Sequence, residues 1–380
     1  MSNIAVLGAM WGDEGKGHIT HFLSRQFDWV IRFNGGANAG HTIYRDGKKF
    51  VHNLLPSVDF RHPHIKAFLG AGMVIDPGQL LKEVLEAEKE YPGVTKRIYV
   101  DPDAFVVLPE HKETDRKTNA HIGSTNRGIG PAYVDKVGRR GTRIRDLLNL
   151  KGAQNHIAAN MDVDTLVHIG VNFKHVLELD QEFADSNKLF EGAQGVLLDI
   201  NHGIYPYVSC SDCTIGGIYA SGFSDVKLDH VYGVAKCYTT KVGEGPFPSE
   251  LHGAEAEELR KLGNEYGATT GRPRRVGWLD LPALRYACRK GGINRLIITK
   301  MDILAGRDVV PVVHAYEKEP VCPDDFNHAV PSQMDLLGWD DCKDHDQMAR
   351  FIKEVEYGAG CYVSYISCGT SESDIVPWDD

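Results

Sequence analysis

The chain has 380 residues, 42% of them hydrophobic, and a formal net charge of −10. This composition fits a soluble globular enzyme of one large domain or two intimate ones, and the acidic balance argues against general nucleic-acid binding. No apolar run approaches the roughly 18–20 residues of a membrane span, and the N-terminus lacks the charged start and long apolar centre of a signal peptide, so a cytoplasmic protein is expected.

In chain order, Asn3–Leu7 reads as a short apolar strand and His18–Gln26 as a helix that opens after a glycine loop. Trp29–Phe33 alternates like a second strand, and residues 42–53 read as a hairpin around the Asp46-Gly47 turn. Asp76-Pro77-Gly78-Gln79 combines an N-cap acid, a proline at the first helical position and a glutamine at the third, which predicts a helix running to about Glu90. Further strands are predicted at Arg97–Val100, Lys188–Phe190, His230–Tyr238, Arg295–Thr299, Val309–His314 and Tyr362–Ser367, and helices near 254–266, 280–290 and 345–356. Strands alternating with helices imply an α/β fold with a mainly parallel central sheet flanked by helices. Ligands in such sheets bind beyond the carboxyl ends of the strands. No composition break, repeat or low-complexity segment marks a boundary, so residues 1–380 are expected to form a single domain.

The loop after the first strand, Trp11-Gly-Asp-Glu-Gly-Lys-Gly-His18, flanks a lysine with glycines as a phosphate-wrapping loop does. It is not the standard G-x-x-x-x-G-K-[ST], because Met10 and Gly17 occupy the positions of the first glycine and the final hydroxyl. Nor is it G-x-G-x-x-G, and a tight strand–helix turn without a ligand is the alternative reading. Two acids, Asp13 and Glu14, sit in the same turn. A carboxylate beside transferring phosphates is useful when it binds Mg²⁺ or takes a proton from the nucleophile. Positive charge is clustered in Lys136, Arg139, Arg140, Arg143 and Arg145 and again in Arg272, Arg274 and Arg275, which suits small anionic ligands. Of eight cysteines only Cys210 and Cys213 have ligand-like spacing, with no second pair, so reduced and inert thiols are expected.

Seven segments in order, WGDEGKGH, NGGANAGHT, STNRGIGPAYVDKVGRRG, EGAQGVLLDINHGIYPYV, KVGEGPFPSE, GATTGRPRRVGWLD and TKMDIL, resemble those of adenylosuccinate synthetases. The resemblance runs from Ile4 to about Asp302, with a weaker match at Ser367-Cys368-Gly369. It implies a ligase that joins L-aspartate to C6 of a 6-oxopurine nucleotide, normally IMP, with GTP hydrolysis through a 6-phosphoryl intermediate. Asp13 is implied as the base that removes the purine N1 proton, His41 as the group stabilising the reacting oxygen, and Gln194 as the residue holding the base at O6. GTP is implied at Gly12, Glu14, Gly15, Lys16, Gly17, Arg274, Lys300, Asp302, Ser367, Cys368 and Gly369. The purine monophosphate is implied at Asn38, Ser124, Thr125, Arg139, Gln194, Ser209 and Arg272, and aspartate at Thr269, Thr270, Arg272 and Arg274. Mg²⁺ is implied between Asp13 and the carbonyl of Gly40, and a homodimer in which Arg139 reaches the neighbouring active site. Nucleic acid and membrane are not among the implied partners.

The sequence departs from the family in places. It is shortened around 148–188 and after 306; His18 replaces a usual lysine, Ala37 a histidine, Asn126 a glycine, Ser209 a threonine and Asp212 an asparagine. Asp212 is expected to add unfavourable charge near the nucleotide phosphate unless it turns away. Some bacteriophage relatives take dGMP to make the precursor of 2-aminoadenine, which would place such an enzyme in the host cytoplasm. Asp13 and Asp302 are lost in the most specialised of these and kept here, which favours IMP. A GTP-binding regulatory protein is the alternative from another class.

Overall fold

The computed structural model describes residues 2–45, 48–118, 124–148, 156–267, 271 and 273–378. The chain forms two compact units, one of Met1–Ala5, Gly17–Ala193 and Ser209–Asp229, the other of Val6–Lys16, Gln194–Val208 and His230–Asp380. The strand Asn3–Gly8 carries the chain from the first into the second.

In the first unit Trp29–Arg32 lies between Lys188–Glu191 and Lys66–Leu69, followed outward by Ile98–Val100 and Asn172–Phe173, all parallel. The two central strands are buried along their whole length, as parallel strands covered on both faces must be. Their aromatic packing runs through Trp29, Phe68, Phe183 and Phe223. The register places Arg32 opposite Glu191 at the carboxyl ends, so two buried charges face each other there. Helix Pro77–Glu90 begins as predicted, with Asp76 accepting from the Gln79 N–H. The hairpin His41–Arg45 with Lys48–His52 also forms, while its Asp46-Gly47 turn lies outside the described residues.

In the second unit His230–Lys236 pairs in parallel with Arg295–Thr299, which pairs in parallel with Tyr362–Ser367, and Ile375–Pro377 closes the edge antiparallel. A second sheet runs Tyr238–Lys241, Arg275–Asp280, Val309–Tyr316, Pro331–Leu337. Helices Leu281–Gly291 and His345–Ala359 carry buried apolar faces in this unit. The expected α/β architecture, with mainly parallel strands and flanking helices, is thus the one found. No helix among the described residues is long and apolar enough to cross a membrane.

Several boundaries differ from expectation for local reasons. The predicted strand His230–Tyr238 is two strands, broken at Cys237, because Tyr238–Lys241 pairs with Arg275–Asp280 instead. The helix expected over 254–266 is Gly253–Leu262, ended by Gly263 and by the left-handed backbone of Asn264 (φ 50°). Helices Pro109–Thr118, Ile129–Val137 and Ile157–His168 carried no strong apolar period and were not expected.

Candidate active site

The glycine loop is organised by one of its own acids. Glu14 is buried, its Oε1 accepts from the N–H groups of Gly12 (2.7 Å) and Met10 (3.1 Å), and its Oε2 pairs with Lys16 Nζ at 2.8 Å. The Thr299 hydroxyl donates to the Glu14 carbonyl at 2.8 Å, tying the loop to the carboxyl end of Arg295–Thr299. Glu14 therefore shapes the turn, with both carboxylate oxygens engaged inside the loop. Gly8 and Gly195 allow the loop to close: a Cβ on Gly195 would stand 2.3 Å from the Met10 carbonyl, and one on Gly8 2.4 Å from the Gln194 carbonyl.

The other acid points differently. Asp13 is exposed, and its Oδ2 lies 2.8 Å from Nε of Arg274. Arg274 in turn donates through Nη1 to the buried Glu265 at 2.6 Å. Burial alone would push the Glu265 carboxyl up, but Lys236 and Arg274 beside it hold it at about 2. Lys300 donates to the Gly263 carbonyl at 3.0 Å and opens the turn Met301–Leu304 without capping it through its side chain. Asp302 is therefore not a helix cap; its carboxyl is raised by partial burial, with Lys300 acting in the opposite direction. At Ser367-Cys368-Gly369 the Cys368 N–H donates to the Asp374 carbonyl, and a Cβ on Gly369 would sit 2.3 Å from the Asp374 carboxylate.

In the first unit, His41 Nδ1 and Glu191 Oε1 are 2.6 Å apart and both are buried. Burial would raise the Glu191 carboxyl; the His41 and Arg32 charges and the hydrogen bond from His41 hold it at about 2. The carboxylate at Nδ1 fixes the orientation of the ring. A Cβ on Gly17 would come within 2.7 Å of the His41 Cβ, so the helix start after the loop has room for glycine only. Asn38 Oδ1 is buried with no donor among the described residues, which suits a ligand N–H. Ser124 donates to Asp115 at 2.8 Å and accepts from the Asn126 N–H, Thr125 is exposed, and Arg139 is exposed beyond helix Ile129–Val137. Gly40 is exposed, and the Ser209 hydroxyl lies 3.2 Å from that of Ser211. Thr269, Thr270 and Arg272 lie outside the described residues.

Backbone conformation marks the same positions. Among the described residues, non-glycine residues with positive φ are Asp13 (62°), Asn126 (59°), Arg139 (61°), Gln194 (57°), Asn264 (50°) and Lys300 (65°). Four of them are candidate ligand or catalytic residues, and Asn126 adjoins a fifth, Thr125. Such backbone costs of order 1 kcal/mol or more each and persists where the surroundings dictate it, most often at functional sites.

The adenylosuccinate synthetase family model matches residues 5–188 and 171–376. The adenylosuccinate synthetase of Petrotoga mobilis is 43% identical over 100% of this chain and 98% of its own length. That of Thermus thermophilus is 42% identical over 98% of both. This chain belongs to the adenylosuccinate synthetase family. Its fold superposes on the fully ligated adenylosuccinate synthetase of Plasmodium falciparum with a TM-score of 0.88 at 31% identity, covering 99% of both chains. The succinoaminodeoxyadenylate synthetase of cyanophage S-2L shares the fold (TM-score 0.73, 21% identity, 99% of this chain and 95% of that one).

Set among synthetases, two of the departures have physical explanations. Asn126 stands at a left-handed position, where asparagine is the side chain best able to replace glycine. Asp212 is engaged within its own turn: its Oδ1 accepts from the Thr214 N–H (2.9 Å) and hydroxyl (2.6 Å), and its backbone carbonyl accepts from Asn34 (2.6 Å). The sequence reading missed the partners that hold the synthetase residues in place, namely Glu191, Glu265, Lys236 and Asp115. Glu191 and Lys236 are lone charges at the ends of apolar runs, and that mismatch is the one signal the sequence offers, whereas Glu265 and Asp115 sit among polar residues and give none.

Proposed function

We propose that this protein joins L-aspartate to C6 of IMP with hydrolysis of GTP, giving adenylosuccinate, GDP and phosphate. Asp13 accepts the N1 proton, so the electron pair moves to O6, which attacks the γ-phosphorus as GDP leaves. The aspartate amine then attacks C6 and phosphate departs. This covalent activation converts a poor leaving oxygen into a good one and splits a hard step into two easier ones. Supporting the reading is the presentation of Asp13 inside a phosphate loop with a guanidinium at 2.8 Å. An acid belongs in that loop because the nucleophile must lose a proton beside the phosphate it attacks.

His41, oriented by Glu191, would stabilise the reacting oxygen, and Gln194 and Asn38 would hold the purine. Lys16, Gly15 and Gly17 would take the GTP phosphates, and Asp302 the guanine N1–H and 2-amino group. Ser124, Thr125, Ser209 and Arg139 would hold the nucleotide phosphate, and the loop with Thr269, Thr270, Arg272 and Arg274 the carboxylates of aspartate. The exposed carboxylate of Asp13 and the exposed carbonyl of Gly40 are hard oxygen donors that fit Mg²⁺. When bound, the ion offsets charge on the transferring phosphates. A homodimer is supported by Arg139 and the adjoining Val134 and Val137, which are 63% and 79% exposed on one helix. A cytoplasmic location follows from the substrates of this reaction.

The test is phosphate release with GTP, L-aspartate and Mg²⁺, supplying IMP in one reaction and dGMP in another. Turnover that needs all three substrates with IMP is expected. Preference for dGMP would overturn the choice of purine, and GTP hydrolysis indifferent to aspartate and purine would overturn the ligase in favour of a GTP-binding regulator.

A further inference from the structure

Glu265 is given no ligand or catalytic role above, yet three side chains of the second unit converge on its carboxylate. It lies 1% exposed, three residues beyond helix Gly253–Leu262. Its Oε1 accepts from Lys236 Nζ (2.7 Å) and the Tyr238 hydroxyl (2.6 Å), and its Oε2 accepts from Arg274 Nη1 (2.6 Å). The two residues are also joined through the backbone, where the Arg274 N–H donates to the Glu265 carbonyl at 2.9 Å. Arg260 Nε closes the other side, donating to the Arg274 carbonyl at 2.9 Å. Arg274 has five N–H donors in a rigid plane, so fixing Nη1 and both ends of its peptide fixes where Nε and the remaining donors point. Nε lies 2.8 Å from Asp13 Oδ2 as an ion pair, without the alignment of a hydrogen bond, which leaves that edge of the guanidinium for another carboxylate. Four charges alternate along this line, Lys236, Glu265, Arg274 and Asp13, and exposure rises from the buried Lys236–Glu265 pair through Arg274 to Asp13.

We propose that Glu265 is a positioning residue for the reaction: it holds the guanidinium of Arg274 in the orientation that receives a carboxylate of L-aspartate. The proposal rests on the reading of Arg274 as an aspartate ligand. An unheld arginine would have to order its side chain when the substrate arrives, at a cost in affinity of about tenfold for roughly 1.4 kcal/mol. Lys236 and Tyr238 act one step further out, neutralising and orienting Glu265 so that its second oxygen is left for Arg274.

The experiment compares steady-state kinetics of wild type, Glu265→Gln, Tyr238→Phe and Arg274→Lys, and the Glu265→Gln/Arg274→Lys pair. Glu265→Gln is expected to raise KM for L-aspartate at least tenfold, while KM for both nucleotides changes less than threefold. In the Arg274→Lys background the same substitution should add less than twofold, because the group it positions is gone. Tyr238→Phe, which keeps the carboxylate and its charge, should raise KM for aspartate two- to fivefold, and it answers the question even if Glu265→Gln does not fold. An unchanged aspartate KM in either single variant, or equal effects in the two Arg274 backgrounds, would overturn the proposal. A second readout does not depend on turnover: the Arg274 Nη1–H resonance, hydrogen-bonded to Glu265, should exchange slowly in wild type and be lost to fast exchange in Tyr238→Phe or Glu265→Gln. Wild type without aspartate-dependent turnover would defeat the ligase reading, whereas equal Nη1–H exchange in all forms would defeat the positioning role itself.

Discussion

Nδ1 of His41 lies 2.6 Å from Oε1 of Glu191, and the other oxygen of the same carboxylate accepts the Ser57 N–H at 2.9 Å. One buried acid therefore sets the tautomer of the histidine and anchors the segment that follows the hairpin. Glu191→Gln keeps the shape and removes the charge. It is expected to lower kcat about 100-fold, within the range of acid–base and charge-stabilising groups, with nucleotide KM nearly unchanged. Initial rates at saturating IMP, GTP and aspartate would check this, and a loss confined to KM would contradict it.

Asp13 is paired with Arg274, and its loop is shaped by Glu14. Asp13→Ala should therefore leave the loop intact while removing the base. Turnover should fall by a factor of about 10²–10⁴ or more, and calorimetry should find nucleotide affinity within a few-fold of wild type. Undiminished turnover would rule out the proposed proton transfer.

Glu191 and Glu265 both have carboxyls held at about 2, below the ordinary value of 4.5. Between those values the unfolded chain takes up protons that the folded chain refuses. Their stabilisation is thus fully present above about pH 4.5 and is lost as pH falls toward 2, at most about 3 kcal/mol each. Melting temperature measured from pH 6 to pH 2.5 should drop steeply below about 4.5. The Glu191→Gln protein should show a shallower fall.

Glycine at 195 is a matter of room, since a Cβ there meets the backbone of Met10 at 2.3 Å and of Gly12 at 2.7 Å. Backbone cannot step aside as a side-chain tip can, so Gly195→Ala should cost roughly 1–3 kcal/mol and weaken GTP binding through the displaced loop. Gly40→Ala is the matched control for space: the nearest atoms, on Asn53 and Val51, are 4.0 Å away. Urea unfolding of the two variants should separate them clearly.

The sequence made the strand ends and the loops after them visible because apolar runs and glycine clusters are local signals. The start of helix Pro77–Glu90 was legible to the residue, since Asp76 and Pro77 act through local backbone geometry. The helix Pro109–Thr118 was not, because its residues are mostly polar and its role is to offer Asp115 to the 124–128 loop. Asp13 and His41 stood out within ordered motifs. Their holders, Arg274 with Glu265 and Glu191, are brought to them by tertiary structure from 150 or more positions away, as the separation of His41 and Glu191 illustrates. No spacing rule reaches that far. The break at Cys237 has the same origin, for a strand changes sheets only where another strand is waiting.

The left-handed residues Asp13, Gln194 and Lys300 carry a lesson for engineering. Each holds its side chain in place at the expense of backbone comfort, so glycine there would relax the chain. A screen that selects for heat resistance alone would therefore reward Asp13→Gly, Gln194→Gly and Lys300→Gly, and strip out side chains to which we assign the reaction. Selection for this fold has to be scored on product.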